Sequence, residues 1–196
     1  MSALSTCAAA AAAPPSPTFA RTVVLQPVSG TVLIRTPGVT TYTHLTATQT
    51  VPVGTVIDTT AGRVRLTSAN PRPRSVQSGQ FFDGTFQIGQ SRSGGGLVSL
   101  FLRDAITRQS GCGSATAHAT ALSKRILGLL RGTAKGHFRT VGRFSAATVL
   151  GTDWGVRDRC DGTLTVVSEG VVAVRDFVQH KTVLVRTGQT YLAKAP

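Results

Sequence analysis

Three cysteines, four histidines and eight acidic residues are the side chains of this 196-residue chain that could do chemistry, and their spacing decides what is open to it. A serine hydrolase needs its nucleophile on a strained turn, and no G-x-S-x-G occurs. Cys112, in Ser110-Gly-Cys112-Gly113, is the candidate thiol nucleophile. It lacks the His before the Gly and the Arg after the Cys that a cysteine transpeptidase would use. A hydrolase or transpeptidase working through Cys112 is therefore the least favoured alternative. His44, His118, His137 and His180 share no ligand spacing, and no C-x-x-C, H-E-x-x-H or P-loop is found. They read as surface or strand residues. Asp153, Asp158 and Asp161 do not follow the alternating acids, Gly and distant Glu of a calcium loop. Asp158 and Asp161 read instead as hairpin-end residues beside Arg157 and Arg159. With one Glu and scattered Asp, no acid/base pair stands out. The expectation is a protein that is not an enzyme and holds no metal or cofactor.

Cations outnumber anions by 21 to 8, for a formal charge of +13. The excess is uneven. Residues 91–143 carry a net +8, and no acid lies between Asp104 and Asp153. Lys124, Arg125, Arg131, Lys135, Arg139 and Arg143 fall within twenty residues. Such a cluster suits a polyanion: teichoic acid, an anionic lipid headgroup or nucleic acid. Only Phe138 and Phe144 lie among these cations, too few for a single-strand stacking platform. A solvated basic face is the plainer reading of the same residues.

The elements that position these residues read as strands. The charged fraction is only 15% against 41% apolar, so this is not a disordered polyelectrolyte. Val and Thr dominate, and 21 Gly mark turns at Pro37-Gly38, Ala61-Gly62, Asp83-Gly84, Asp161-Gly162, Glu169-Gly170 and Thr187-Gly188. Apolar blocks recur at Thr22–Leu25, Gly30–Arg35, Thr55–Asp58, Arg63–Thr67, Gly84–Ile88 and Leu97–Leu102. They resume at His137–Val141, Ala147–Leu150, Asp153–Asp158, Thr163–Ser168, Val171–Asp176, Thr182–Arg186 and Thr190–Ala193. Spacing near ten residues predicts an all-β domain over 21–196, a sandwich or a short β-solenoid. A flexible basic insertion is expected at about 91–135, within which 122–131 could be a helix or a strand. Between Trp154 and Val166 a three-residue loop, Cys160-Asp161-Gly162, sets Val156 opposite Val166, with Gly162 left-handed. Trp154 reads as an inward core residue.

Residues 1–20 open with MSALSTCAAAAAAPPSP, small and uncharged, then proline-rich. This reads as a signal-peptide remnant or a disordered low-complexity start. No apolar run reaches the roughly 18 residues of a membrane helix, so no transmembrane segment is expected. Three cysteines in an exported chain leave one over. Cys7 lies in the segment expected to be cleaved or disordered. Cys112 and Cys160, both in loops at strand ends, are predicted to form a disulfide.

Tyr42-Thr-His-Leu45, Val51-Pro-Val-Gly54-Thr-Val-Ile-Asp-Thr-Thr60 and Gly62-Arg-Val-Arg-Leu66 together resemble the opening of FecR-type domains. Gly136-His-Phe-Arg-Thr140 and Ala147-Thr-Val-Leu-Gly-Thr152, with Trp154 and Val156, are similar to that family's middle stretch. Gly162–Val166, Glu169-Gly-Val171 and Arg186-Thr-Gly188-Gln189 are similar to its ending. The chain looks most like secreted actinobacterial proteins of that type sharing GRVRLTSA and DRCDGTLT. The resemblance spans about residues 28–192. It implies an extracytoplasmic, non-enzymatic binding or structural β-domain, secreted or in the cell envelope, with an envelope ligand or protein as partner. The cytoplasmic anti-sigma helices and membrane helix of the iron-citrate relay have no counterpart in these residues.

Overall fold

A computed structural model of the chain describes residues 15–103, 112 and 124–196. The signal remnant or disordered start expected at residues 1–20 lies mostly in residues 1–14, outside the described residues. The structure is all-β. Its strands are β1 (Thr22–Arg35), β2 (Thr43–His44), β3 (Gln49–Pro52), β4 (Val56–Ala69), β5 (Val76–Phe82), β6 (Thr85–Gln90) and β7 (Val98–Leu102). They continue as β8 (Ile126–Val141), β9 (Ser145–Arg159), β10 (Gly162–Glu169), β11 (Val171–Asp176), β12 (Thr182–Arg186) and β13 (Thr190–Lys194).

Four long strands, β1, β4, β8 and β9, change partners midway and so belong to two sheets. The first sheet runs β2, end of β1, start of β4, β6, β7, end of β8, start of β9, β11, β12. The second runs β3, start of β1, end of β4, β5, start of β8, end of β9, β10, β13. The pairing shifts register where the strands turn, between Pro27 and Ser29 in β1 and between Lys135 and Phe138 in β8. Strands that switch sheets at bulges are how two packed sheets share a chain. The sequence blocks on either side of Ala61-Gly62 are therefore two halves of β4, and that pair is a mid-strand corner, not a hairpin turn. Gly30 has φ +65°, and a Cβ there would stand 2.2 Å from Ala61 O. A Cβ on Gly62 would stand 2.4 Å from Thr31 O, so both sides of this corner need glycine.

One core fills the space between the sheets. Phe81 of the second sheet packs against Phe86 and Phe138 of the first, with ring centroids at 5.7 and 5.4 Å. Trp154 is buried at 1% exposure, packs edge-on to Phe81 and donates from Nε1 to Thr140 Oγ1 at 3.1 Å. The inward placement expected for Trp154 is what the structure has. Nearly all pairings are antiparallel, so the arrangement is a sandwich and not a solenoid of stacked parallel coils. The exception is β7 with β8. Parallel neighbours need a crossover of a dozen or more residues. β7 ends at Leu102 and β8 begins at Ile126, a separation in sequence long enough for one.

Three expectations are corrected. The predicted basic insertion of 91–135 contains β7 and the first half of β8, and 126–131 is strand at the centre of the second sheet. The β9–β10 hairpin pairs Arg159 with Gly162 and Val156 with Thr165, so its loop is the two residues Cys160-Asp161. Thr163, Thr165 and Val167 face inward, while Leu164 and Val166 lie on the outer face. The inward choice follows Asp158, which is 1% exposed and accepts from Thr163 Oγ1. Gly162 keeps the positive φ expected of it, at +148°, which an L side chain rarely adopts, and a Cβ on it would also meet Ala193 O of β13 at 2.2 Å.

Candidate polyanion-binding face

The outer face of the second sheet is built by register. Arg63 of β4 stands opposite Phe82 of β5, Phe82 opposite Arg131 of β8, and Arg131 opposite Gly155 of β9. The next row is Arg65, Gln80, Thr133 and Asp153, and the next Thr67, Ser78 and Lys135. On the other side Arg157 lies beside Leu129 and Leu164. Rows on one face are roughly 6.8 Å apart and neighbouring strands roughly 4.8 Å. Five cations thus share one sheet surface, drawn from three strands.

The Arg63 guanidinium carbon lies 3.8 Å from the Phe82 ring centroid, and that of Arg131 lies 5.0 Å from the same ring. An aromatic face attracts guanidinium groups and holds their planes, leaving N–H edges for an anion. Gly155 adds no side chain beside Arg131. Its missing Cβ would be 3.4 Å from Arg131 Cγ, so the stem lies on bare sheet. Two acids border the face. Asp83 meets Arg131 at 3.5 Å in an exposed pair, and Asp153 accepts from Thr133 Oγ1 at 3.1 Å. Among the described residues Arg63, Arg65, Lys135 and Arg157 make no ion pair.

The six cations singled out from the sequence separate into four places. Arg131 and Lys135 lie on this face. Arg139 is on the first sheet, where its Nε and Nη2 donate to Ser99 Oγ at 3.3 and 2.9 Å. Arg143 sits in the β8–β9 turn, its guanidinium 5.3 Å from the Phe144 ring, and its N–H donates to the Asp158 carboxylate at 3.0 Å. Lys124 and Arg125 precede β8, and Arg125 O accepts from Cys160 N at 3.2 Å. Arg63, Arg65 and Arg157 were missed because they are distant in sequence. The signal was there: alternation in a strand puts 63 and 65 on one side and 157 opposite Val156 and Asp158.

Cys112 and Cys160 are joined by a disulfide, with Cα atoms 5.4 Å apart. It ties the β7–β8 crossover to the tip of the β9–β10 hairpin. A sulfur so bonded is no nucleophile while the bond lasts. Beside it Arg159 and Asp161 form an ion pair. The hydrogen bond from Arg159 holds the Asp161 carboxyl below its ordinary value, and the same bond raises Arg159. The three aspartates weighed as calcium ligands point to separate partners: Asp153 to Thr133, Asp158 to Arg143 N and Thr163, Asp161 to Arg159. Among the described residues no three His, Cys, Asp or Glu side chains converge. His44, His137 and His180 are exposed, and His118 lies outside the described residues. No described helix is long and apolar enough to cross a membrane.

No protein family, curated protein or solved structure matches this chain.

Proposed function

We propose that the chain is a non-enzymatic, extracytoplasmic binding module of FecR-like build that holds a polyanion against the outer face of its second sheet. The observation that supports the ligand class is the surface of Arg63, Arg65, Arg131, Lys135 and Arg157, with one exposed ion pair among them. Cations spread over successive rows of one sheet surface suit an extended chain of repeated negative charge: a teichoic acid, the headgroups of an anionic membrane, or nucleic acid. Phe82 is already engaged by two guanidinium groups. It is therefore a holder of cations and not a platform for bases, and the affinity is electrostatic and indifferent to sequence. An oxidising compartment is supported by the Cys112–Cys160 bond. The FecR-like reading rests on motifs that fall on core strands, Gly62–Leu66 on β4 and Gly162–Val166 on β10.

Retention on immobilised heparin tests the site. Arg63→Ser, Arg65→Ser and Arg131→Ser together should elute at much lower salt than the native protein. Neutralising Lys124, Arg125, Arg139 and Arg143 instead should leave most of the retention. Elution of the face variant at the native salt concentration would remove the site.

A further inference from the structure

The outer face of the first sheet, on the other side of the molecule, carries a concave groove of about 940 Å³. Its floor is the row Arg35, Val56 and Gln87, contributed by β1, β4 and β6, with Asp58 one step along β4. The loop after β1, ending in Tyr42, forms one wall. Arg103, just past β7, lines the groove as well. Val56 is only 4% exposed although it points outward, so the groove has an apolar base.

Both arginines are held in place by neutral groups. Arg35 donates to Val39 O at 3.4 Å, with its guanidinium carbon 5.3 Å from the Tyr42 ring centroid. Gln87 Nε2 donates to Gly54 O at 2.8 Å, which leaves its oxygen to accept from Arg103 Nη2. The one acid present, Asp58, is turned along its own strand, where Oδ1 accepts from the N–H and hydroxyl of Thr60. Among the described residues neither arginine makes an ion pair. Two oriented, unneutralised guanidinium groups beside an aromatic ring and an apolar floor describe a ligand of definite chemistry. Small-molecule sites combine such a concave apolar lining with a few placed polar groups.

We propose that this groove is a second binding site, separate from the basic face, for a small organic acid: an apolar body carrying one carboxylate or sulfonate. The anion is taken by Arg35 and Arg103 and the body lies against Tyr42 and Val56. Gln87 is a positioning residue for Arg103.

The test uses two fluorescent probes with the same aromatic body, 1-anilinonaphthalene-8-sulfonate and its uncharged parent N-phenyl-1-naphthylamine. The native protein should bind the sulfonate saturably at one per chain, and the uncharged parent at least tenfold more weakly. Arg35→Ser with Arg103→Ser should weaken sulfonate binding at least tenfold. Gln87→Leu, which keeps both charges, should weaken it about threefold or more. The triple serine variant of the basic face should bind the sulfonate as the native protein does, which separates this site from the polyanion reading. Circular dichroism and melting temperature identify any variant that has lost the fold. Equal binding of the two probes, undiminished binding in the double arginine variant, or no saturable binding to the native protein would overturn the proposal.

Discussion

Asp176 is the last residue of β11 in the first sheet, has no solvent exposure, and accepts from Tyr191 Oη of β13 in the second sheet at 2.8 Å. It also accepts from the N–H groups of Val178 and Gln179 at 2.9 and 2.8 Å. Burial opposes its ionised form, but the bonds from Gln179, Tyr191 and Val178 outweigh it and hold the carboxyl below the ordinary value. A depressed carboxyl contributes stability that is present above the unfolded pKa, roughly 3.9, and lost as pH falls through the folded value. Tyr191 moves the other way. Burial and the bond to Asp176 push it up to about 12. Its contribution is present below the unfolded value of roughly 10 and lost as pH rises through the folded one. Tyr191→Phe should cost about 1.5–3 kcal/mol near neutrality, because it removes one bond to a buried carboxylate. In urea unfolding from pH 7 down to pH 3, Asp176→Asn should lose less stability than the native protein. Parallel curves for the two proteins would mean that this carboxylate is not the acid-sensitive link between the sheets.

At the scale of elements, the sequence reading finds strands well and joins them poorly. Blocks 22–25 and 30–35 are one bent strand, as are 147–150 and 153–158, because a Gly-marked corner looks locally like a turn. β5 escapes the reading altogether. Its inward positions are Gln77, Gly79 and Phe81, which make no apolar alternation. Gln77 is buried because it bridges, donating to Gly96 O at 2.6 Å and accepting from His137 N at 2.8 Å. Gly79 is there because a Cβ would meet the Phe81 ring at 2.7 Å. Such pairings are tertiary facts, invisible to periodicity. The Cys112–Cys160 link was legible, since loops at strand ends are short-range features. It closes a separation of 48 residues around the crossover. Restraint of the unfolded chain by a loop of this length stabilises by about 4 kcal/mol. Cys112→Ser with Cys160→Ser should therefore lower the urea midpoint by that equivalent, while the β-sheet circular dichroism of the folded state stays unchanged. An unaltered midpoint would show that the link restrains nothing in the unfolded chain.

For the molecule as a whole, the sequence makes the charge excess plain but hides where it gathers. Arg131 and Lys135 were legible as members of a local run. Arg63, Arg65 and Arg157 join them only through the register of β4, β5, β8 and β9. Against the formal +13, the exposed Arg131–Asp83 pair and the Arg159–Asp161 pair offset little of the excess. Self-repulsion on that scale weakens a compact state, and salt screens it, with a Debye length falling from roughly 30 Å at 0.01 M to roughly 8 Å at 0.15 M. The thermal midpoint should rise as NaCl goes from about 0.01 to 0.15 M, the opposite of a protein held by surface ion pairs. Heparin at low salt should raise the midpoint further, because a ligand that binds only the folded state stabilises it by mass action. Salt also releases the ligand, each lost phosphate-like contact changing the slope of log K against log salt by roughly 0.7–0.9. The heparin increment should thus shrink as the salt increment grows. The Arg63, Arg65 and Arg131 triple serine variant should show a smaller salt increment and almost no heparin increment. A heparin increment that survives at high salt, or that the triple variant keeps, would mean that the polyanion is held elsewhere or by something other than charge.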